Sequence, residues 1–305
     1  MRYLLFDISN LLYRTFYAQT NEDDNTLAGL ATHSALVTLN KYFKKYKPDA
    51  VIMALDRSSW RKEYTASDEC ISKKPYKGNR RQNMTPAQTA KFERFISHLR
   101  EFESLIANHT TIITLAEDKL EADDLIAGFV QIHSDNDNEI VIISSDSDLL
   151  QLKRYTNVKV VSPANDKEVE LEEYDNDPDL YIFTKCIRGD STDNVQSAFP
   201  NVRMTRIRKA YEDKYERVQL MKEKWTSPHG TEFLVEDLFK ENQKLIDLTK
   251  QPDDIRMKIF EVVEREMSKK REFSLFFIMK FIGKYDLNKI KENIDQYLPL
   301  LSKRC

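Results

Sequence analysis

The residues of this 305-residue sequence that could carry out chemistry are acids gathered in five short segments. Many stand two or three positions apart or directly follow an apolar run, so the folded chain can bring them into one pocket. Two carboxylates at about 5 Å and an effective dielectric near 20 repel each other by about 3 kcal/mol, so such a pocket requires bound cations or protonation. The candidates are Asp7, Asp56, Glu121, Asp123, Asp124, Asp146, Asp148, Asp190 and Asp193.

The absence of histidine and cysteine from these segments indicates which cation they would hold. Ligand sets made only of oxygen suit hard cations that keep several waters, so Mg²⁺ or Mn²⁺ fits better than Zn²⁺. This many carboxylates can hold two ions, and two-metal sites serve phosphodiester cleavage. The sequence therefore predicts a site for two Mg²⁺ ions, for which Mn²⁺ can substitute.

Each acidic segment also has an interpretation that needs no metal. An aspartate after an apolar strand often closes a turn or caps a helix, as Asp7 and Asp56 could do. Residues 121–124 could be the acidic first turn of a helix, which the helix dipole favours. A shared site is favoured because five separate segments have the same acidic character.

The elements that must position these acids can be read from the apolar runs before them. Three runs end in Asp7, Asp56 and Asp146, and their unbroken hydrophobicity is typical of strands buried on both faces. Helical patterns lie between them, around residues 26–46, 86–106 and 119–133. This alternation predicts an α/β fold with a mainly parallel central sheet flanked by helices. Such sheets bind ligands beyond the carboxyl ends of their strands, where these acids fall.

The second part of the chain has a different pattern. From about residue 178 onward, apolar positions recur at helical spacing and strand-like runs disappear. We therefore expect an α/β domain over residues 1–185 and a helical C-terminal region over residues 186–305.

The composition excludes several classes of protein. The six glycines lack the spacing of nucleotide-binding loops, and zincin, zinc-ribbon and serine-hydrolase motifs are absent. Three widely spaced cysteines fit a reducing compartment, and no apolar run is long enough to span a membrane. We expect a soluble cytoplasmic protein. Its net charge of −3 argues mildly against a nucleic-acid partner until the distribution of charge is considered.

One segment is strongly basic. Residues 57–81 contain eight Lys or Arg against three acids, with Trp60, Tyr64 and Tyr76 among them. Cations attract phosphates and aromatic rings stack on bases, so this composition suits a single strand. A solvated loop is the alternative. Because the acidic segments stand on both sides, a basic arm over a metal site is the better interpretation.

At these residues the sequence resembles the 5′-nuclease superfamily. Its members include flap endonucleases, the 5′-nuclease domain of bacterial DNA polymerase I and stand-alone phage enzymes of the T-even ribonuclease H type. The acidic signatures occur in the family's order, with Asp56 between the first two, at residues 5–14, 121–124, 144–152 and 188–194. The resemblance covers residues 1 to about 195 and implies a 5′-nuclease or PIN-like fold.

The resemblance also implies how the acids divide between two metal positions. One position corresponds to Asp7, Asp56, Glu121 and Asp123, and the other to Asp146, Asp148 and Asp193. Asp124 and Asp190 correspond to residues that act through water or behind the ligands. The implied reaction is cleavage of DNA or RNA strands from a 5′ end, leaving 5′-phosphate and 3′-hydroxyl products.

The basic segment resembles the arch of the same family, at about residues 57–85. By this match Lys77 and Arg80 would contact the scissile phosphate as catalytic residues, and Tyr13 would stack on the terminal base. The expected nucleic-acid contacts are Tyr13, Arg61, Tyr76, Lys77, Arg80, Arg81, Arg206 and Lys209. Residues 64–75 make the segment longer than in the family.

The C-terminal region departs from many relatives, because residues 195–202 contain no glycine where a Gly-rich helix-hairpin-helix would bind duplex phosphate. Residues 203–224 hold eight basic residues against four acids, so a helix there can bind duplex DNA electrostatically. Alternatively, Arg206 and Lys209 only solvate an amphipathic helix.

The sequence thus predicts a metal-dependent 5′→3′ exonuclease and flap endonuclease that removes RNA primers or 5′ flaps in DNA replication and repair. Its substrates would be DNA with a 5′ flap or single strand and RNA·DNA hybrids. The resemblance implies a monomer, in the bacterial host cytoplasm if phage-encoded, with a single-strand-binding protein or sliding clamp as partner. The alternatives are a non-catalytic DNA-structure-binding module and an acidic-pocket phosphoacceptor signalling protein.

Overall fold

A computed structural model describes residues 1–18, 22–80, 84–134 and 137–303. Arg81, one of the expected nucleic-acid contacts, lies outside the described residues. The main strands are β1 (Arg2–Asp7), β2 (Ala50–Ala54), β3 (Ile113–Leu115), β4 (Glu139–Ile143), β5 (Val158–Ser162) and β6 (Lys167–Glu168). They form one sheet in the order β3-β2-β1-β4-β5-β6, in which only the β5–β6 pair is antiparallel. The predicted mainly parallel α/β fold is confirmed.

Helices cover both faces of this sheet and make up most of the C-terminal region. The first helices of the described chain are α1 (Ile8–Ala18), α2 (Asp24–Tyr46), α3 (Trp60–Ala66), α4 (Pro86–His109), α5 (Ala122–His133) and α6 (Pro178–Arg188). They are followed by α7 (Met204–Glu212), α8 (Lys214–Met221), α9 (Val235–Ile246), α10 (Asp253–Ser268), α11 (Leu275–Lys284), α12 (Asn288–Glu292) and α13 (Leu298–Ser302). Short 3₁₀ helices lie at Ser147–Arg154, Glu172–Tyr174 and Ile294–Gln296.

Two hydrophobic cores lie on opposite faces of the sheet. Leu4 and Phe6 of β1 belong to the core that includes α1, α2 and α4, whereas Tyr3 and Leu5 belong to the core that includes α5 and α10. Side chains alternate along a strand, so a strand covered on both faces must be apolar at every position. The unbroken apolar runs in the sequence have this origin.

The helix ends are set by local sequence signals. Thr85 and Gln88 form a capping box at the start of α4, where Pro86 occupies the first turn. Glu121 and Asp124 form the equivalent box at the start of α5. Two of the predicted site residues therefore also define a helix start, as the interpretation without a metal anticipated.

The C-terminal region is helical as predicted, except for one hairpin. Strands β7 (Lys224–Thr226) and β8 (Glu232–Leu234) pair antiparallel within a stretch where we expected only helices. Three-residue strands are too short to produce a periodic pattern in the sequence. Helices α11 to α13 belong to the same core as α2 and α4. The division of the chain at residue 185 stays a prediction.

Within the described part of the chain, no helix is both long enough and apolar enough to cross a membrane.

Candidate active site

The carboxyl ends of three strands lie side by side and place the acids together. Asp7 at the end of β1 is paired in register with Ala54 of β2, and Phe6 with Ile143 of β4. The strand order reverses at β1, which has β2 on one side and β4 on the other. In open α/β sheets a crevice forms at such a point, beyond the carboxyl ends of the strands.

This crevice is a cavity of about 350 Å³. Its lining includes eight of the nine acids predicted from the sequence, together with Asn10, Tyr13, Lys77 and Arg80. The acids in its lining are Asp7, Asp56, Glu121, Asp123, Asp146, Asp148, Asp190 and Asp193. Side chains more than 180 positions apart in the sequence thus share one site.

Serine hydroxyls hold the acids on β1 and β2 in place. Ser144 Oγ donates to Asp7 Oδ2 at 3.1 Å, and the backbone N–H of Asp56 donates to Ser9 Oγ at 2.9 Å. Asp56 Oδ1 accepts the backbone N–H of Ala122 at 2.8 Å, which connects β2 to the start of α5. These contacts fix the carboxylates relative to one another.

Glu121, Asp123 and Asp124 at the start of α5 offer carboxylate oxygens within 4.8 Å of one another. Asp124 is nevertheless not available as a ligand, because both its oxygens accept from Arg61 at 2.8 and 2.9 Å. Its side chain is also 0% exposed and accepts from Gln251 at 3.2 Å. Asp124 therefore lies behind the cavity, and it is the one candidate acid that is not in the lining.

A lysine stands among the acids of the other half. Lys185 Nζ on α6 contacts Asp148 Oδ1 and lies 2.7 Å from Asp190 Oδ2. Asp146 caps the 3₁₀ helix Ser147–Arg154, its Oδ1 accepting the N–H of Asp148 at 2.9 Å. Two of the four acids on this side are therefore paired with Lys185.

Asp190 and Asp193 lie in the turn that follows α6. Gly189 makes this turn possible, because its φ is +71° and a Cβ there would lie 2.6 Å from the carbonyl oxygen of Val195. Asp190 Oδ1 accepts the N–H groups of Thr192 and Asp193 at 2.8 and 3.2 Å. The turn thereby presents both acids to the cavity.

Burial and mutual repulsion raise the proton affinity of several acids. Burial and the charge of Asp56 raise the pKa of Asp7 to about 8, and burial, opposed by Lys185, raises that of Asp148 to about 6. The pKa values of Asp56 and Asp123 are also raised, chiefly by burial. Burial alone would raise the pKa of Glu121 too, but Lys77 and Arg61 lower it to about 2.

The donor set of the cavity fits divalent metal ions. Neither histidine nor cysteine is among the described residues that line it, and carboxylates outnumber cations. The raised pKa values of its aspartates mean that full ionisation needs additional positive charge. Hard divalent cations bound by oxygen supply that charge.

Lys77 and Arg80, the expected phosphate contacts, line this cavity. Lys77 Nζ is 2.5 Å from Glu121 Oε1 and 3.6 Å from Asp193 Oδ2, and Arg80 is 2.6 Å from Asp193 Oδ1. Tyr13 also lines the cavity, and its ring lies 5.8 Å from that of Phe92. The structure thus brings two cations and one aromatic ring to the acids.

Two residues expected to contact nucleic acid have other surroundings. Arg61 is 1% exposed and binds Asp124 and Glu121, with its guanidinium 4.8 Å from the Trp60 ring. Tyr76 is buried and donates its hydroxyl to Asp193 Oδ2 at 2.6 Å. In these positions neither side chain can reach a strand, which corrects that expectation. A sequence does not distinguish a buried arginine from an exposed one.

The expected duplex contacts on α7 are exposed but paired. Arg206 forms an ion pair with Glu223, and Lys209 lies 2.6 Å from Glu216. Ion pairs at the surface are weak because water screens them, so phosphates can compete for both cations. Their role stays a prediction.

Lys185 and the positioning serines Ser9 and Ser144 were not predicted from the sequence, nor was Ser59, whose Oγ donates to Glu121 Oε2 at 2.7 Å. A signal for Lys185 does exist. It is the only charged residue between Leu180 and Ile187, and every other residue of that stretch is buried. No comparable signal distinguishes the serines, whose contacts depend on the tertiary fold.

Residues 2–178 match a family model described as "5′-3′ exonuclease, N-terminal resolvase-like domain". The chain is 28% identical over 199 residues to ribonuclease H of Enterobacteria phage T4. The matched residues cover 63% of this chain and 62% of that protein. It is 30% identical over 205 residues to DNA polymerase I of Caldicellulosiruptor bescii, covering 64% of this chain and 22% of that protein. The chain therefore spans less than two thirds of either relative.

A solved structure of similar fold is the bacteriophage T5 flap endonuclease in a pseudo-enzyme–product complex with DNA and metal ions. It has a TM-score of 0.63 and 19% identity, covering 88% of this chain and 100% of that one.

Proposed function

Because the chain belongs to the 5′–3′ exonuclease family, whose N-terminal resolvase-like domain its residues 2–178 match, we propose that it is a Mg²⁺-dependent 5′→3′ exonuclease and flap endonuclease. It removes RNA primers or 5′ flaps, acting on DNA with a 5′ flap or single strand and on RNA·DNA hybrids. The observation that supports this most is the cavity in which eight carboxylates face Lys77 and Arg80.

The carboxylates of this cavity would hold two Mg²⁺ ions. Bound divalent ions activate a water for attack on phosphorus and stabilise the leaving oxygen. One group of ligands is Asp7, Asp56, Glu121 and Asp123, and the other is Asp146, Asp148 and Asp193. Asp124 and Asp190 support them, since Arg61 and Lys185 occupy their oxygens. Mg²⁺ is the proposed ion because every donor is an oxygen.

Lys77 and Arg80 would bind the scissile phosphate. Both cations now contact Glu121 or Asp193, and these carboxylates become metal ligands in the proposed complex. The two side chains are then free to neutralise phosphate oxygens, Lys77 as a point charge and Arg80 through two hydrogen bonds. Tyr13, in the same cavity, would stack on the terminal base.

The wider setting is proposed from the relatives. The T5 flap endonuclease of similar fold was crystallised with DNA and metal ions. We propose that this chain acts in DNA replication and repair, as a monomer in the cytoplasm, which is that of a bacterial host if the chain is phage-encoded. A single-strand-binding protein or a sliding clamp would be its partner.

A labelled flap substrate tests the function. With Mg²⁺ the protein should shorten a 5′-labelled flap, and EDTA should stop the reaction. Asp146→Ala should reduce turnover at least about 100-fold while junction binding is retained, because a charge-stabilising ligand is lost. Asp253→Ala, a matched change at an 86% exposed carboxylate, should leave cleavage unchanged. Wild-type protein that binds the junction in Mg²⁺ without cleaving it would be a DNA-structure-binding module instead.

A further inference from the structure

The basic segment before Lys77 is packed against the helical region, and this packing bears on how Lys77 is positioned. Residues 67–75 connect α3, which ends at Ala66, with the buried Tyr76. The two ends are joined, since the N–H of Tyr76 donates to Thr65 Oγ1 at 3.0 Å. Both residues are buried. Residues 67–75 therefore form a closed loop whose two ends are held together.

The middle of this loop, at residues 71 and 72, is bound by a buried carboxylate of α9. Glu241 Oε2 accepts the backbone N–H of Ile71 at 2.5 Å, and Glu241 Oε1 accepts that of Ser72 at 3.2 Å. Glu241 is 2% exposed and has no ion pair among the described residues. A buried carboxylate is costly unless hydrogen bonds satisfy it, and bonds to an ionised acceptor are strong. The loop is thus attached to α9 by two charge-assisted bonds.

Apolar contacts also attach the basic segment to the helices between this loop and the cavity. Cys70 is fully buried, and Tyr76 packs with Ile182, Cys186 and Leu245 in a small apolar cluster. This cluster joins the basic segment to α6 and α9.

Lys77 is held from the other side by the turn that contains the acids. Its backbone N–H donates to the carbonyl oxygen of Asp193 at 2.8 Å, and Asn194 Nδ2 donates to the carbonyl oxygen of Pro75 at 2.8 Å. Lys77 itself has a φ of +54°, an uncommon backbone conformation for lysine. Its placement therefore depends on being held at both ends.

We propose that Glu241 is a positioning residue for the reaction, which fixes the loop 67–75 on α9 and thereby fixes Lys77 at the carboxylates. The inference rests on the proposed function, because it assigns Lys77 a role at the phosphate. Glu241 touches none of the carboxylates in the cavity, so it acts only through the segment. Side chains positioned in advance lose less entropy at the transition state, so loosening the loop lowers turnover more than substrate binding.

The test compares Glu241→Gln with Glu236→Gln, the same change at an exposed position of the same helix. Glu241→Gln should lower kcat about tenfold, change KM little and leave Mn²⁺ binding by calorimetry unchanged. The amides of residues 71 and 72 should exchange hydrogen faster, and trypsin should cut sooner after Lys73. Glu236→Gln should match the wild type in each measurement.

Different results separate the two proposals. If wild-type protein cleaves flaps and Glu241→Gln cleaves them equally well, the positioning role is wrong and the nuclease function stands. The role is also wrong if kcat falls without faster exchange at residues 71 and 72, or together with a loss of metal binding. Exchange and proteolysis report on the loop even in a protein that cleaves nothing, so they remain informative if the nuclease function fails.

Discussion

Lys185 is a cation at the candidate metal site that was not predicted from the sequence. It contacts Asp148 and Asp190 on the side of the cavity proposed for the second ion. A fixed positive charge repels a divalent cation, and it also occupies one oxygen of each of these two acids. We expect it to make the second ion the weaker-bound of the two.

Replacing Lys185 with methionine should therefore tighten metal binding. We expect the affinity for Mn²⁺ at the weaker position to rise about tenfold, because a unit of positive charge beside the ligands is lost. Calorimetry without nucleic acid measures this directly. Lys153→Met is a matched control, since both lysines are 14% exposed and each contacts two carboxylates. Unchanged or weaker Mn²⁺ binding in Lys185→Met would contradict the prediction.

The raised pKa values of the buried aspartates predict how the metal-free protein responds to pH. Asp7, with a pKa of about 8 against an ordinary 3.8, and Asp148, with about 6, hold protons in the folded chain that the unfolded chain releases. The free energy of unfolding should therefore fall as pH rises from about 4 to about 8. The lowered pKa of Glu121, about 2 against an ordinary 4.5, has the opposite effect on stability, but only up to about pH 4.5.

Urea unfolding in EDTA at several pH values measures this slope. Asp7→Asn should flatten it between about pH 6 and 8, because the group that titrates there is removed. Stabilisation by added Mg²⁺ should grow over the same interval, since metal competes with protons for the same oxygens. A metal-free protein whose stability rises with pH would contradict the assignment.

At this scale the sequence allowed the acids to be selected but not their roles. Eight of nine line one cavity, because residue type and position after a strand are visible in the sequence. The pairing of Asp124 with Arg61 depends on a contact between α5 and α3, which no local pattern records. The same limit explains the wrong expectation for Arg61 and Tyr76.

Among the elements, the junction of α3, α5 and α9 supports the site from behind. Arg61 of α3 binds Asp124 of α5 through two hydrogen bonds and donates to the carbonyl oxygen of Leu245 in α9 at 2.8 Å. A single guanidinium thus joins three helices directly behind Glu121.

Removing this guanidinium should be strongly destabilising. Arg61→Met should cost about 3–5 kcal/mol of unfolding free energy, because it leaves Asp124 buried and unpaired. Adding Asp124→Asn should recover part of the loss, since the uncompensated charge is then removed. Urea denaturation of the single and double variants measures both effects. Costs that simply add would mean that the two residues are not coupled.

The elements themselves were predicted in proportion to their length and burial. β1, β2 and β4 are continuous apolar runs and α2 and α4 are long amphipathic helices, so all five produced clear patterns. β3, β7 and β8 have three residues each and depend on their partners in the sheet. Such strands form only when their partner is present, which is β2 for β3, whereas β7 and β8 pair with each other.

At the scale of the whole molecule, the C-terminal helices complete the core of the α/β part. Ile278, Phe281 and Ile282 of α11 lie in the same core as Leu4 and Phe6 of β1. The N–H of Thr111 also donates to the carbonyl oxygen of Leu301 at 2.9 Å. The protein should therefore unfold in one transition despite the change of pattern near residue 178.

A pair of substitutions on α11 tests this shared core. Ile282→Ala should cost about 2–5 kcal/mol, because the side chain is 2% exposed and leaves a cavity. Phe276→Ala, at a 71% exposed ring on the same helix, should change stability by less than about 0.5 kcal/mol. Both should unfold with a single transition in urea. A separate early transition in Ile282→Ala would mean that the C-terminal helices form an independent unit.

The acids of the cavity lie at the carboxyl ends of the strands, so the amino ends of the strands, at the opposite edge of the sheet, face away from the cavity. The exposed Lys47, just before β2, lies at that edge. An affinity handle or fluorophore attached there would hold the protein on a sensor surface with the cavity facing outward. Immobilised in this orientation, the enzyme should process a nucleic acid delivered from solution at the same rate as the free protein.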